Sequence, residues 1–287
     1  MKIIFLGEDS FSAAALNSLI DDAKCELLAV FCPIYDNFIY ARLKKTCEIN
    51  GIPFYRVENI NSQHCENLIY KMNPDLISAV HFQKILKKNI IQIPKYGCIN
   101  LHPSLLPNYR GLAPIQWPII NGDKQTGVTV HFINEGVDTG DIILQHKINI
   151  TNDMYVSDLQ LKLLEVYKFV VKDVIGLMVK GKMKLTSQKE LKGSYFGKLK
   201  HKECEINLEK GVISAYNLIR GVSRPYLGAT FNEYHIWKAR LASNETNQSI
   251  NSKYNMNSIF FDDDLGTFIK FKNGSLILEK YNKLKFE

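Results

Sequence analysis

The 287-residue sequence predicts an α/β protein with a Rossmann-like, mostly parallel sheet and helices on both faces, followed by a small C-terminal β-rich domain of OB-like barrel type. Two observations lead to this prediction. Short apolar runs alternate with helix-like segments from Met1 to about Ile150, which is typical of parallel strands joined by helices. Short strand-like runs then dominate the C-terminal part, where Asn273-Gly274 indicates a hairpin turn. We therefore expect one domain over residues 1–190 and a second over residues 203–287.

The first domain contains seven strand candidates. They are mainly apolar runs of strand length: Lys2–Leu6, Glu26–Phe31, Pro53–Val57, Leu76–His81, Gly97–His102, Thr126–Phe132 and Asp141–Ile148. Ser10 is expected to cap a helix that continues to Ile20, and Gly7 is expected to allow a tight turn before it. Because the segment after the first strand lacks the Gly-x-Gly-x-x-Gly pattern, we do not expect a dinucleotide held in the usual Rossmann manner.

A long amphipathic helix is predicted after these strands, because apolar residues recur there at spacings of three and four. These residues are Val156, Leu159, Leu163, Val166, Val170, Val174 and Leu177. A lysine-rich stretch, Lys180–Lys202, follows, and we place the domain connection there. We interpret its charges as a solvated surface, with contact to an anionic partner as the alternative.

The C-terminal part is expected to hold one helix and several short strands. The helix covers Val212–Val222, and strand candidates are Tyr234–Leu241, Ser258–Phe261, Thr267–Lys272 and Ser275–Lys280. Trp237 is expected in the core of this domain. The segment Asn244–Asn257 is rich in Asn, Ser and Thr, so we expect a mobile loop there.

Composition excludes several classes of protein. No stretch reaches the roughly 18 apolar residues that a membrane span needs, and the N-terminal apolar run is too short for a signal peptide. We therefore expect a cytoplasmic protein with no membrane partner. The six cysteines form no Cys-x-x-Cys pair and the seven histidines form no ligand-spaced pair, which argues against a metal site and for free thiols. The net charge of +7 favours an anionic ligand without choosing among phosphate, carboxylate and nucleic acid.

The segment Cys98–Pro114 carries the most chemical information. In a strand, Asn100 and His102 project from the same face, and the proline after His102 keeps that residue extended at the strand end. Asp138 follows later, in a loop between two glycines. A histidine that moves a proton, an amide that donates to an oxyanion and a carboxylate suit acyl-type transfer to a nucleophile supplied by the substrate. Spacing alone leaves open that His102 is structural and that Asp138 only forms a turn.

This segment resembles the folate-dependent formyltransferases, which include methionyl-tRNA, glycinamide ribonucleotide and sugar formyltransferases. The shared pattern is Asn-x-His, then Pro-Ser-Leu-Leu-Pro-x-Tyr-Arg-Gly-x-Ala-Pro, and later Thr-Gly-Val-Thr and Asp-x-Gly, and it is unbroken here. The resemblance covers most of residues 1–200 and, more weakly, Tyr195–Arg240. It implies that Asn100, His102 and Asp138 are catalytic. It also implies N10-formyltetrahydrofolate as the formyl donor, with no metal required.

The resemblance implies further contacts. The folate is expected to lie along the segment after the fourth strand and along the loop that carries Asp138. The expected cofactor-binding residues are Phe82, Ile85, Leu86, Gly136 and Val137. Candidate substrate contacts are Lys84, Tyr109 and Arg110; the alternatives are that Lys84 is merely exposed and that the other two only pack their loop. His81, His131 and His146 lie on strand-like segments and are expected to be structural.

Two acceptors share this chemistry. Methionyl-tRNA formyltransferases carry a glycine-rich basic loop after the second strand, which suits a tRNA acceptor stem. Here that stretch, Pro33–Lys45, has no glycine, and its three basic residues lie at its end. Tyr195-Phe-Gly-Lys and Arg220-Gly-Val-Ser-Arg-Pro-Tyr-Leu-Gly-Ala resemble the sugar-nucleotide N-formyltransferases that act on 4-amino-4-deoxysugars for surface polysaccharides. We therefore expect a nucleotide-linked amino-deoxysugar as acceptor, with methionyl-tRNA as the alternative.

Two other functions belong to different classes. A formyltetrahydrofolate hydrolase would use the same triad with water in place of the amine, but such enzymes have an additional N-terminal regulatory domain, and here the α/β domain starts at Lys2. A non-catalytic binding module could retain the fold, and the intact triad argues against it. For the transferase, the resemblance implies direct attack by the unprotonated amine. The nucleotide, the sugar, the position of its amine and the oligomeric state stay open, and a homodimer is compatible with the sequence.

Overall fold

The computed structural model describes residues 1–35, 38–255 and 259–283. The chain divides into two compact units. The first comprises residues 1–111, 127–148 and 162–195, and the second comprises residues 112–126, 149–161 and 196–287. The second unit therefore takes two segments from within residues 1–190. The domain bounds expected from the sequence, 1–190 and 203–287, stay a prediction.

The larger sheet has seven strands in the order β3-β2-β1-β4-β5-β7-β8. Along the chain the strands are β1 (Lys2–Gly7), β2 (Glu26–Pro33), β3 (Phe54–Val57), β4 (Leu76–Val80), β5 (Cys98–His102), the separate two-residue β6 (Arg110–Gly111), β7 (Gln125–Phe132) and β8 (Ile142–Asn149). The strands from β3 to β5 pair in parallel, and β5 pairs with β7 in antiparallel orientation. The mostly parallel sheet is confirmed, with strand ends shifted by at most two residues from those predicted.

Helices cover both faces of this sheet. The helices in this part of the chain are α1 (Ser10–Ile20), α2 (Ala41–Ile49), α3 (Gln63–Met72), α4 (Lys88–Ile91), α5 (Gln116–Ile120), α6 (Val156–Tyr167) and α7 (Val170–Val179), of which α5 belongs to the second unit and does not cover this sheet. Ile4 and Leu6 of β1 belong to a core cluster with residues of α3 and α4. Ile3 and Phe5 alternate with them and are fully buried on the opposite face, where α1 contacts β1 and α7.

Two local predictions in this region were wrong. The single long helix predicted over residues 156–177 is two helices, α6 and α7, separated at Lys168-Phe169. Periodicity does not detect this break because the apolar spacing continues across it. The N-terminal cap of α1 is Asp9 and not Ser10, since the Asp9 carboxylate accepts the backbone N–H of Ser12 at 2.9 Å. Asp and Ser are equally good capping residues, so composition does not choose between neighbouring positions.

The C-terminal region forms a five-stranded antiparallel sheet in the order β10-β11-β14-β13-β12. The strands of this region are β9 (Tyr195–Phe196), which pairs with β6, then β10 (Ala229–Phe231), β11 (Tyr234–Leu241), β12 (Ile259–Asp262), β13 (Gly266–Phe271) and β14 (Gly274–Lys283). Helix α8 (Gly211–Val222) packs on this sheet and on α5. The predicted C-terminal β-rich domain is therefore confirmed, and the turn before β14 falls at Lys272-Asn273, one residue earlier than predicted. Ser258, predicted to start a strand, lies outside the described residues.

Two predictions for the C-terminal region were wrong. The predicted mobile loop contains helix α9 (Asn244–Lys253), which Ser243 caps through a bond from the backbone N–H of Thr246 at 3.1 Å. Its buried Ile250 contributes to a small apolar cluster, which a polar composition does not reveal. The last residues of the predicted loop, 256 and 257, lie outside the described residues. Trp237 is half-buried and not in the core, because alternation along β11 turns its neighbour Ile236 inward instead.

Within residues 1–35, 38–255 and 259–283, no helix has the length and apolar character needed to cross a membrane. Over the same ranges, no three His, Cys, Asp or Glu side chains come together as metal ligands. All six cysteines have free thiols.

Candidate active site

Strands β5 and β7 bring two histidines and an amide to one place. In their antiparallel ladder, Asn100 lies opposite His131, and His102 lies opposite Thr129. Residues directly opposite one another in a ladder share a face of the sheet. The Asn-x-His spacing of β5 and the Thr-x-His spacing of β7 therefore place all four side chains on the same face.

Asp138 completes this cluster from the loop after β7. Its backbone φ is 53°, in the left-handed region that aspartate adopts more readily than most residues. Oδ2 accepts the backbone N–H of Gly111 at 2.9 Å and lies 3.6 Å from His102 Nδ1, and Oδ1 lies 3.6 Å from His131 Nε2. The structure thus brings Asn100, His102 and Asp138 together, as expected of a triad, and adds His131 to them.

The loop that carries Asp138 is held by a glycine and by a glutamine. A side chain at Gly140 would overlap the carbonyl oxygen of Phe132, so only glycine allows this close approach. Gln188 Nε2 donates to the carbonyl oxygens of Asp138, at 3.1 Å, and Gly140, at 2.6 Å. Its Oε1 accepts from Arg110 Nη2 at 2.8 Å. The arginine of the motif therefore helps to position Asp138 through Gln188, a residue that no local sequence signal singled out.

The His102 ring has a neighbour at each nitrogen. Nε2 lies 2.7 Å from the carbonyl oxygen of Tyr109, and because a carbonyl can only accept, Nε2 is the donor. Burial lowers the pKa of His102, although the charge of Asp138 opposes this effect. In the neutral ring Nδ1 is therefore unprotonated and faces Asp138. A proton taken up at Nδ1 would lie next to the carboxylate, which is the arrangement of a general base whose conjugate acid is stabilised by a partner.

His131 links the Asn100 side chain to strand β7. Its Nδ1 donates to the carbonyl oxygen of Phe132 at 2.8 Å, and its Nε2 lies 3.3 Å from Asn100 Nδ2. In the neutral ring Nε2 accepts from the amide and so orients it. The sequence assigned His131 a structural role, which the bond to Phe132 fits, but the ring also contacts Asn100 and approaches Asp138. The period-two spacing of Thr129 and His131 indicates that both side chains lie on one face of their strand. It does not reveal the register that sets them opposite His102 and Asn100 of β5.

The loop after β5 is held by two hydroxyl groups, that of Thr129 on β7 and that of its own Ser104. Thr129 Oγ1 donates to the carbonyl oxygen of Ser104 at 2.6 Å and accepts the backbone N–H of Leu106 at 3.1 Å. Ser104 Oγ donates to the carbonyl oxygen of Asn108 at 2.7 Å. The Pro-Ser-Leu-Leu-Pro segment therefore fixes the backbone that presents the Tyr109 carbonyl group to His102.

The expected substrate contacts Tyr109 and Arg110 adjoin this cluster. The Tyr109 side chain is buried and its backbone φ is 62°, while Arg110 bonds to Gln188. These contacts fit the alternative in which both residues pack and position their loop. Lys84 is exposed, with its ammonium 5.3 Å from the centre of the Tyr35 ring. Substrate binding by these three residues stays a prediction.

The expected folate contacts differ in exposure. Leu86 is buried in a core cluster and Phe82 packs against the same cluster, whereas Ile85 is 72% exposed. Gly136 and Val137 are exposed on the loop that carries Asp138. Their contact with folate stays a prediction.

The Asp138 carboxyl is strongly acidic. Burial disfavours its charged form, but the nearby His131, the charge of a protonated His102 and the N–H of Gly111 outweigh burial and bring its pKa to about 2. Asp138 is therefore ionised at neutral pH and can face a protonated His102.

We expect this ionisation to make the stability of the protein depend on pH. The unfolded carboxyl titrates near 3.8 and the folded one near 2, so the contribution of Asp138 is complete above about pH 4 and is lost as the pH falls toward 2. The difference corresponds to about 2 kcal/mol of unfolding free energy. Urea unfolding of wild type and Asp138→Asn between about pH 6 and pH 2 measures this contribution. The difference in unfolding free energy between the two proteins should narrow by that amount as the pH falls. A difference in unfolding free energy that does not change with pH would contradict the lowered pKa of Asp138 in the folded protein.

Comparison with known families matches both parts of the chain. The family described as "Formyl transferase" matches residues 1–175, and the one described as "Formyl transferase, C-terminal domain" matches residues 198–284. The chain belongs to the formyl transferase family. The resemblance inferred from the Asn-x-His segment is thereby confirmed at the level of the family, and the fold described above is consistent with it.

Relatives of this formyltransferase include two named methionyl-tRNA formyltransferase. That of Clostridioides difficile (strain 630) is 33% identical over 258 residues, which cover 87% of this chain and 84% of the relative. That of Thermodesulfovibrio yellowstonii is 38% identical over 226 residues, which cover 76% of this chain and 72% of the relative. Both identities extend over most of each chain.

Solved structures share the fold. The N-formyltransferase from Helicobacter canadensis, in complex with folinic acid and dTDP-3-aminofucose, has a TM-score of 0.71 and 21% identity, covering 98% of this chain and 100% of that one. The sugar 3N-formyl transferase WlaRD, in the presence of dTDP and 5-N-formyl-THF, has a TM-score of 0.70 and 23% identity, covering 100% and 99%. At these identities the likeness concerns the fold alone.

Proposed function

We propose that this formyltransferase moves the formyl group of N10-formyltetrahydrofolate to the amino group of a nucleotide-linked amino-deoxysugar. Convergence of Asn100, His102 and Asp138 on one face of the sheet is the observation that carries the transfer chemistry. The folate donor is supported by the two solved sugar formyltransferases that hold formyl-folate compounds.

In the proposed reaction the acceptor amine attacks the formyl carbon. A carbon–nitrogen bond forms to the acceptor, the bond to folate N10 breaks, and negative charge builds on the formyl oxygen between the two events. The Asn100 amide donates to that oxygen. His102 takes the proton from the attacking nitrogen, with Asp138 stabilising the imidazolium, and returns it to N10 as the tetrahydrofolate leaves. Transfer is direct, because the shared pattern that begins at Asn100 contains no cysteine or lysine as a nucleophile for a formylated enzyme.

The region after β2 supports a small acceptor. Its basic residues lie on or beside helix α2 and not in a glycine-rich loop, and Lys44 pairs with Glu48 at 3.4 Å. The guanidinium of nearby Arg56 lies over the Tyr40 ring, 4.1 Å from its centre, and donates to the carbonyl oxygen of Tyr35. Cations held in this way are poorly placed to follow a phosphate backbone.

The charge of the C-terminal region supports the same acceptor. Residues 203–287 hold 11 Lys and Arg against 10 Asp and Glu, so this region is nearly neutral. A polyanion held by many phosphates requires a clear excess of cations, whereas one pyrophosphate requires few. The structures of WlaRD in the presence of dTDP and of the Helicobacter canadensis enzyme in complex with dTDP-3-aminofucose provide a precedent for a nucleotide-linked acceptor on this fold.

Methionyl-tRNA is the second candidate acceptor. The observation in its favour is that relatives 33% and 38% identical to this chain carry the name methionyl-tRNA formyltransferase. The exposed lysines that follow α7, among them Lys180, Lys182 and Lys184, offer a surface for phosphates.

A side-by-side assay with both acceptors tests the proposal. We expect formyl transfer to one of the dTDP-, UDP- or GDP-linked amino-deoxysugars, with a modest dependence of kcat/KM on salt because only a pyrophosphate is neutralised. Transfer to a tRNA would instead weaken steeply between about 50 and 200 mM salt. Rates with each acceptor at the two salt concentrations are the measurement.

A charge-neutralised variant provides the control. Changing Lys180, Lys182 and Lys184 together to alanine should leave transfer to the nucleotide sugar unchanged, because the proposal gives them no part in it. Efficient formylation of methionyl-tRNA with a steep salt dependence, reduced in this variant, would replace the sugar acceptor by tRNA.

A further inference from the structure

A second group of titratable side chains lies beside the candidate active site. Strands β1 and β4 end together, with Gly7 paired in register with Val80. The next residues, Glu8 and His81, therefore leave neighbouring strands at the same edge of the sheet. Strand β5, which ends at His102, lies on the other side of β4. Because the chain runs from β1 outward to β3 and then returns to β4, this edge is a topological switch point, where open α/β sheets bind ligands.

His81 has an unusual backbone conformation and a fixed ring. Its φ is 50°, in the left-handed region that residues other than glycine seldom adopt. Ring Nδ1 lies 2.8 Å from Asp9 Oδ2, and Nε2 lies 2.9 Å from Tyr167 Oη. The Phe11 ring packs against it with 4.8 Å between centroids. These contacts fix the His81 ring at both nitrogens and at one face. They can therefore stabilise a backbone conformation that is unfavourable by itself.

The partners of His81 are themselves fixed. Asp9 caps α1 through Oδ1, and Ser12 Oγ of the same helix donates to the carbonyl oxygen of Val80 at 2.6 Å. Although burial opposes it, the charge of His81 and the bonds from His81 and Ser12 lower the pKa of Asp9, so Asp9 presents a carboxylate to the ring. Tyr167 is fully buried at the end of α6. Side chains at the start of α1 and at the end of α6 thus fix the position of the C-terminal end of β4.

The segment that follows His81 is tied at both ends. Glu8, only 2% exposed, accepts the backbone N–H of Gln83 with Oε2 at 3.5 Å. Asn61 Nδ2 donates to the carbonyl oxygen of Ile85 at 2.9 Å. Phe82, Ile85 and Leu86, which are expected to contact the folate, lie at or directly beside these ties, and their path depends on the direction that the chain takes at His81.

We propose that His81, held between Asp9 and Tyr167, is a positioning residue that sets the path of residues 82–86 and thereby the affinity for the folate donor. This inference rests on the proposed function, in which residues 82–86 line the folate subsite. Releasing the ring lets the backbone leave the left-handed region, which displaces the segment without touching Asn100 or Asp138. The effect is therefore on folate binding and not on the chemical step.

Variants that release the ring without emptying the core test the proposal. Tyr167→Phe removes one hydroxyl and keeps the packing, with Tyr70→Phe, at a 73% exposed position, as the matched control. His81→Ala removes the ring, whereas His81→Asn loses the ring but tolerates a positive φ better. The dissociation constant for 5-formyltetrahydrofolate by calorimetry and the KM for the formyl donor should rise about tenfold in His81→Ala and less in the other two. The kcat at saturation and the KM for the acceptor should stay within about twofold.

The split between KM and kcat separates positioning from a merely structural role. A lowered thermal midpoint with an unchanged folate dissociation constant would overturn the inference. Equal changes in the KM values for the formyl donor and the acceptor would overturn it as well. A folate dissociation constant that is closer to wild type in His81→Asn than in His81→Ala would support the inference, because asparagine tolerates a positive φ better than alanine does. If the wild-type protein bound no 5-formyltetrahydrofolate, the proposed function would fail together with the inference, and this result would be visible before any variant was compared.

Discussion

Replacing His102 by alanine should lower turnover by about two to four orders of magnitude, the range for a lost general acid–base group. The ring is the group that can accept a proton next to Asp138, and its Nε2 is already engaged with the Tyr109 carbonyl group. Asp138→Asn should have an effect of similar size, because an amide does not stabilise the imidazolium as a carboxylate does. Steady-state rates of formyl transfer at saturating substrates measure both variants.

A histidine outside the cluster provides the matched control. His146 is exposed on β8, so His146→Ala should retain wild-type turnover. Folding of each variant is checked by circular dichroism, which should be unchanged. Near-wild-type turnover in His102→Ala or Asp138→Asn would remove these side chains from the proposed mechanism, whatever the acceptor is.

The second large effect is expected on stability, from Arg220→Ala. Arg220 is only 4% exposed, and its guanidinium donates to the carbonyl oxygens of Met154, at 2.8 Å, and Thr151, at 3.3 Å. It also donates to Asn217 Oδ1 at 2.5 Å and lies 5.0 Å from the centre of the Tyr216 ring. Alanine leaves these acceptors buried without a donor and opens a cavity, at a cost of about 3 kcal/mol.

Thermal unfolding measures this effect, with an expected fall of about 10 °C in the midpoint. Arg224→Ala is the matched control, because Arg224 is exposed and lies over the Trp237 ring. Arg220→Lys should be intermediate, since lysine keeps the charge and loses the planar fork of donors. Loss of turnover in Arg220→Ala without loss of stability would contradict the structural role and would point to contact with the acceptor.

The sequence was sufficient for the features that depend on local pattern. Alternation within β5 placed Asn100 and His102 on one face, and the apolar runs located the strands of the larger sheet to within two residues. Both results follow from the period-two geometry of a strand, which a short window of sequence contains. The unbroken motif identified the family, and its chemistry suggested a proton-moving histidine with a carboxylate partner.

Features that depend on distant parts of the chain were not predictable in this way. The break between α6 and α7 keeps the apolar spacing, and the helix over Asn244–Lys253 is polar in composition. His131 joins the cluster only because the register of β7 against β5 sets it opposite Asn100. Gln188 reaches the Asp138 loop from 50 residues further along the chain. Register and long-range hydrogen bonds are fixed by the packing of whole elements, so only the tertiary structure decided which side chains surround His102 and which ones hold them in place.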